Sequence, residues 1–262
     1  MELSEMLKRI DETKKLIETR RPLELEAVKQ LDAYFRIGLT YSSNALEGNT
    51  LTLIETKVLL EDGLTVGGKP IRDYYEAVGH AKAYDFMLKA ARSNPFDFSV
   101  DMILTLHKLF YIGIDAENAG VYRNIQVIIT GTEYLPPKAK EVPELMRAFA
   151  DELNKKWDEV HPVRLAAFAH RKLVDIHTFV DGNGRAARLL MNLILINRGY
   201  QIISIPPIMR PDYISALQMA QREKNPSDEA FNLLMAECEI EAQRDFCRMF
   251  DIEQPKKDEP DR

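Results

Sequence analysis

His177-Thr178-Phe179-Val180-Asp181-Gly182-Asn183-Gly184-Arg185-Ala186-Ala187-Arg188 is the stretch on which the reading of this chain turns. The segment before it carries apolar residues at helical spacing (Val163, Ala166, Ala167, Leu173, Val174), so His170 and His177 fall on or near its buried stripe. Glycines then permit a tight turn whose successive backbone N–H groups converge on an anion. A second helix begins at about Gly184 and points its positive end at the same place. Arg185 and Arg188, at i and i+3, add two side-chain cations on neighbouring parts of that helix. Asp181 beside the nest would repel an anion unless a cation sat between them. The stretch therefore reads as a site for a polyphosphate with Mg²⁺, with His177 at its edge as candidate general base.

Outward from this stretch nearly everything reads as helix. Helices are expected at 2–20, 23–46, 70–92, 100–112, 141–157, 162–176, 184–198, 211–223 and 227–251, with Pro22 opening the second. Thr52-Leu53-Ile54-Glu55 is a capping box for a further helix, and a glycine-rich turn follows at 63–69. Gly63-Leu-Thr-Val-Gly67-Gly68-Lys69 nearly spells a phosphate-binding P-loop, but Pro70 replaces the required hydroxyl and a helical pattern precedes it, so it reads as an interhelical loop. One stretch alone, Asn124 to Tyr134, reads as a β-hairpin, with alternating Ile125, Val127 and Ile129, Thr130-Gly131 at its middle and Pro136-Pro137 closing it. The expected architecture is all-α with a small hairpin: a helical N-terminal extension over 1–50, one catalytic domain over 51–252, and a solvated tail over 253–262.

The chain has 262 residues, 45% hydrophobic and 29% charged, as an ordinary globular protein has. Its formal net charge of −6 argues against a general nucleic-acid binder. No apolar run reaches the ~20 residues of a membrane span, and the N-terminus lacks a secretory h-region. A cytoplasmic protein without nucleic-acid or membrane partners is expected. Cys238 and Cys247 lie nine residues apart, on opposite faces of one helix, so they read as free thiols.

H-x-F-x-D-G-N-G-R-x-x-R resembles the signature of the Fic family, whose enzymes typically transfer AMP from ATP to a protein hydroxyl. The resemblance runs from about residue 40 to 250. It includes His161-Pro162, Leu189-Leu190-Met191-Asn192, Gly120-x-Tyr122-Arg123 and Arg210-Pro-Asp-Tyr213, and is greatest to the family's animal endoplasmic-reticulum branch and to bacterial members. Thr178 departs from it, standing where the family most often has Pro.

The resemblance implies roles. His177 would deprotonate the target hydroxyl, Asp181 would hold Mg²⁺, and Phe179 would anchor the loop. Gly182, Asn183, Gly184, Ala186 and Ala187 would line the phosphate nest, with Arg185 on the β-phosphate and Arg188 on the γ-phosphate. Gly131, Thr132 and Tyr213 would belong to the nucleotide pocket. Ile125, Val127, Ile129 and Thr130 would form a flap that holds the target segment by strand addition.

Ser43-Asn-Ala-Leu-Glu47-Gly48-Asn49 resembles the family's inhibitory motif. Ser43 and Glu47 share one helix face, and a carboxylate at a helix C-terminal end is unfavourable unless a cation partners it. The resemblance implies that Arg188 is that cation. Related chemistries stay open beside AMP transfer: AMP removal, transfer of another phosphate-containing group, or a non-enzymatic interaction module. Gly184 favours AMP transfer, because phosphorylating relatives carry Lys there. The target protein is unidentified, and self-modification and a homodimer stay open as well.

Overall fold

The computed structural model describes residues 1–93 and 98–253. Among them are ten α-helices: α1 (Leu3–Glu18), α2 (Leu25–Ala45), α3 (Leu53–Asp62), α4 (Ile71–Ala91), α5 (Val100–Tyr111), α6 (Val142–Lys156), α7 (Pro162–Ile176), α8 (Asn183–Asn197), α9 (Arg210–Ala220) and α10 (Glu229–Met249). Single 3₁₀ turns precede α6 and α9. None is long and apolar enough to cross a membrane. The expected tail lies outside the described residues from 254 onward.

Helix α8 is the axis of the molecule. Its LLMNLILI run is apolar on every side, and Arg185 to Leu195 are all buried, as a helix surrounded by others must be. α7, α4, α5 and α2 pack around it, while α1 lies on α10. Met6 and Ile10 of α1 join the same core as Leu190 and Ile194. The local signals act as the sequence implies. Thr52 and Glu55 form their reciprocal cap, and Gly63 ends α3 with a left-handed φ of 68°. Cys238 lies in the main core and Cys247 in a separate small cluster; both are free.

Two expectations are corrected. Pro22 does not open α2, which starts at Leu25. Leu23 instead turns into a small cluster with Ile17, Leu31 and Phe246, which holds the chain out of helix for that stretch. The 124–134 segment is not a β-hairpin: it turns at Thr130-Gly131 as expected, but no strand is formed among the described residues. The reason lies at its base. Pro136 and Pro137 have no N–H to give a ladder. Arg123 donates to the carbonyls of Ile125 (3.0 Å) and Pro137 (2.5 Å), and Gln126 to that of Pro136 (3.1 Å). The two arms are held by side chains rather than by each other.

Helices α4 and α5 cross at Gly79, where a Cβ would lie 2.5 Å from the Phe110 carbonyl oxygen. Backbone cannot yield as a side chain does, so overpacking here should cost about 1–3 kcal/mol. Gly79→Ala should lower the urea unfolding midpoint accordingly; an unchanged midpoint would mean that the two helices separate freely.

Candidate active site

The turn between α7 and α8 is shaped by a few contacts. α7 ends at His177, which adopts a left-handed φ of 52°. Arg123 donates its Nε–H to the His177 carbonyl (2.6 Å) and its backbone N–H to that of Thr178 (3.0 Å). Thr178 is buried, with its hydroxyl on Met146 Sδ, so the hydroxyl has a partner where the family more often has Pro. Asn183 then clamps the loop: its Oδ1 accepts from Phe179 N–H and its Nδ2 donates to Phe179 O, both at 2.9 Å.

His107 supports the same turn. Its ring stacks on Phe179 at 3.6 Å, Nε2–H donates to the Asp181 carbonyl, and Nδ1 accepts from Gly120 N–H. Gly182 has φ 80°, and a Cβ there would strike the Phe110 ring at 2.9 Å. The first intrahelical bond of α8 runs from Ala186 N–H to Gly182 O. The N–H groups of Asn183, Gly184 and Arg185 thus precede it at the open end.

His177 is half-buried, and its Nδ1 lies 3.3 Å from the Val174 carbonyl. A carbonyl can only accept, so Nδ1 carries the proton and Nε2 keeps its lone pair. Burial lowers the pKa of this ring, against the opposing effect of the Val174 bond. The ring is therefore a neutral imidazole at neutral pH.

Two buried arginines follow on α8, each beside a carboxylate. Arg188 donates Nε–H to Ser43 Oγ (2.9 Å) and Nη1–H to Tyr213 OH (3.2 Å). Its Nη2 donates to Ser43 O (2.8 Å) and Glu47 Oε1 (2.6 Å). Burial works against this guanidinium, but Glu47 and Tyr213 together outweigh it and raise the pKa. Tyr213, having accepted from Arg188, passes its own proton toward His170 Nε2 (3.1 Å). Glu47 itself lies just past the end of α2, and Gly48 (φ 93°) turns the chain away.

Arg185 lies with Nη1 3.0 Å from Glu76 Oε1, in ion-pair contact but without hydrogen-bond alignment, and its Nε has no acceptor. Asp181 receives Gly182 N–H on Oδ1 (2.6 Å) and Arg72 Nη2 on Oδ2 (2.8 Å). Burial would raise the pKa of this carboxyl, yet Arg185, the Gly182 N–H and Arg72 together hold it below the usual carboxylate range.

The residues singled out in sequence thus fall into four groups. His177, Asp181, Gly182, Asn183, Gly184, Arg185, Arg188, Ser43, Glu47 and Tyr213 gather around the N-terminal end of α8. Ala186 and Ala187 are wholly buried in the core. Gly131 and Thr132 line a cleft of about 1000 Å³ with Tyr134, Gln218 and Gln221. The cleft lies near His177, because Tyr134 OH and Gln221 Nε2 both bond Asp175, two residues before it. Ile125 and Thr130 are exposed, with Val127 and Ile129 half-buried. Arg72, Glu76 and His107 were not anticipated, and Arg123 entered only as part of the resemblance, without a role. Arg72 and Glu76 carry a signal only as an i,i+4 pair, which reads as an ordinary helix surface.

Among the described residues no three His, Cys, Asp or Glu side chains gather as a metal cluster. A divalent ion here would rest on Asp181 and on oxygens of a bound phosphate, which suits Mg²⁺ with its one or two carboxylates.

A buried helix N-terminus flanked by two arginines has the chemistry that suits a phosphate-bearing ligand. The Fic/DOC family profile matches residues 97–195. The proteins named protein adenylyltransferase Fic from Drosophila willistoni and Nematostella vectensis are 38% and 36% identical over 190 and 218 residues, or 72% and 82% of this chain. The chain spans 37% and 50% of the lengths of those two relatives. Residues 134–508 of Fic-1 from C. elegans superpose with a TM-score of 0.83 at 30% identity, covering 95% of this chain and 73% of that one. A Fic domain containing signaling protein from Bacteroides thetaiotaomicron gives 0.82 at 30%, covering 90% and 95%. The chain belongs to the Fic/DOC family.

The buried rings make stability depend on pH. Burial holds His80 down to about 3, His107 down to about 4 and His170 well below its ordinary value. These rings are neutral in the fold and take a proton on unfolding below about 6.5. Their stabilisation is complete above that pH and is lost as pH falls, by about 1.4 kcal/mol per ring and pH unit. Glu239 acts in the opposite sense: burial pushes it up to about 8, so its contribution is lost as pH rises, and it offsets one ring. Denaturant unfolding should therefore show a net loss of about 2–3 kcal/mol per pH unit between pH 6.5 and 5. A flat profile there would contradict the neutral assignment.

Proposed function

We propose that the chain is a protein adenylyltransferase, moving AMP from ATP to a hydroxyl side chain (Tyr, Thr or Ser) of a protein and restrained by Glu47. The observation that carries the reading is the convergence of a neutral His177, with Nε2 free to take a proton, on the cationic N-terminal end of α8. The names of the relatives support it.

Triphosphate would lie along that end. Arg185 and Arg188 would receive the β- and γ-phosphates through charge-assisted hydrogen bonds, with the N–H groups of Asn183 and Gly184 on the remaining oxygens. The nucleoside would extend toward the cleft of Gly131, Thr132 and Gln221. His177 Nε2 takes the hydroxyl proton as the hydroxyl oxygen attacks the α-phosphorus. The bond to the bridging oxygen breaks, and pyrophosphate leaves held by the two arginines. Asp181 would hold Mg²⁺, which supplies charge neutralisation to the phosphates.

The run from Ile125 to Ile129 joins no strand among the described residues, and would offer a target strand the backbone groups that side chains do not already hold. A homodimer would find apolar side chains in the exposed Ile71 and Tyr75, one turn apart on α4.

Glu47 restrains this chemistry because Arg188 cannot hold both a carboxylate and a γ-phosphate in one geometry. Gly184 fits the same picture: a Cβ there would lie 2.4 Å from Glu47 Oε1, so the lysine of the phosphorylating relatives would displace the carboxylate.

Four measurements test the reading. With ATP labelled at the α- or the γ-phosphate, the acceptor protein should carry only α-label; γ-label alone would overturn AMP transfer. A charge-assisted bond contributes ~1.5–3 kcal/mol, so Glu47→Gly should raise transfer by one to two powers of ten, whereas Arg188→Ala should abolish it in both backgrounds. Since burial lowers the pKa of His177, the acid limb of the kcat/KM–pH profile should fall below the ordinary histidine value of about 6.5. His177→Ala should lose at least ~10²-fold in transfer while still binding ATP.

A further inference from the structure

We propose that Arg72 is a resident counter-cation of Asp181, which a divalent metal with its nucleotide must displace, and that Glu76 holds Arg72 in place, so that α4 sets the metal requirement of the site. The proposal rests on the adenylyl-transfer reading only in taking Asp181 as the metal ligand.

Asp181 has few lone pairs to spare. Oδ1 accepts Gly182 N–H at 2.6 Å. Oδ2 accepts from Arg72 Nη2 at 2.8 Å and Tyr111 OH at 3.3 Å, and faces Arg185 Nη2 at 3.6 Å. Mg²⁺ binds oxygens at about 2.0–2.1 Å in near-octahedral geometry. With Arg72 and Tyr111 both on it, Oδ2 has no lone pair left for a metal, and two cations on one carboxylate repel each other.

Arg72 is built to be displaced at one end only. Its side chain is 56% exposed, so the Nη2 end is free to swing outward. Its Nε stays bonded to Glu76 Oε1 at 3.0 Å, one helical turn further along α4. Glu76 is buried and fixed from the other side, where its Oε2 accepts from Asn49 Nδ2 at 3.0 Å. The same carboxylate thus anchors Arg72, faces Arg185 and touches the segment two residues past Glu47. An arginine stays charged at all working pH values. The competition is between cations and does not switch off with pH in the physiological range.

The test titrates Mn²⁺ into the full chain saturated with a non-hydrolysable ATP analogue, in the Glu47→Gly background, and reads free Mn²⁺ by electron paramagnetic resonance. Arg72→Ala, an exposed position, should tighten Mn²⁺ binding about tenfold, as removal of ~1.4 kcal/mol of competition would. Arg72→Lys keeps the charge but loses the two-point fork, and should fall between the two. Unchanged or weaker Mn²⁺ binding in Arg72→Ala overturns the proposal and makes Arg72 a ligand-binding residue instead. If neither protein binds Mn²⁺ while labelled analogue binds both, the metal assignment of Asp181 fails with it. The α-label assay of AMP transfer is read independently of that result.

Discussion

A buried guanidinium has to be fully partnered, and meeting that demand for Arg188 ties this molecule together. Removing such a cation from water costs far more than any single contact returns. Arg188 therefore has an acceptor for each of its three nitrogens, and all but Tyr213 come from the end of α2. This explains an oddity of α2: its buried face consists of Leu39, Thr40, Ser42, Ser43 and Asn44, mostly polar. The helix docks through polar contacts rather than through an apolar stripe. Arg210 holds the Leu46 carbonyl and Ser204 the Ser42 hydroxyl, and bidentate pairs of Arg36 with Asp85 and Arg92 with Asp32 fasten the outer half.

The same balance recurs along the site. Glu47 stands against Arg188, Glu76 against Arg185, and Arg72 against Asp181. Each charge that a metal–triphosphate would use already has an internal partner of opposite sign. Binding such a ligand is then an exchange of partners, in which the net gain is the difference between two charge-assisted contacts rather than the full strength of one. The proposed restraint by Glu47 and the proposed competition by Arg72 would be two instances of this exchange, one for the anion and one for the cation.

What could be read in the sequence was local. The helices follow apolar spacing. The nest follows from two glycines and an asparagine within three residues, and the Thr52–Glu55 cap from a four-residue pattern. The misses depend on distant partners. Pro22 seemed to start a helix because nothing nearby showed that Leu23 would be drawn into a cluster with Phe246. The 124–134 segment has the alternation and turn of a hairpin, but Arg123 and the prolines at its base decide whether its arms pair. Arg72 and Glu76 look like a solvated i,i+4 pair, and only the docking of α4 against a loop 109 residues away makes Arg72 part of the site. His107 is hidden for the same reason, as its role depends on Phe179 lying under its ring.

Gly184 shows how the nest and the restraint depend on each other. It is not among the glycines with left-handed φ, so the turn itself does not require it. Its missing side chain matters for space: a Cβ would lie 2.4 Å from Glu47 Oε1 and 3.0 Å from Arg188 Nη1. The Glu47 carboxylate fills that small volume beside Arg188, and under the proposed function an anion held by the same guanidinium would use it in turn. A side chain at 184 would remove the room in which one anion replaces the other. Gly184, Arg188 and Glu47 therefore act as one unit, although 137 residues separate Glu47 from Gly184.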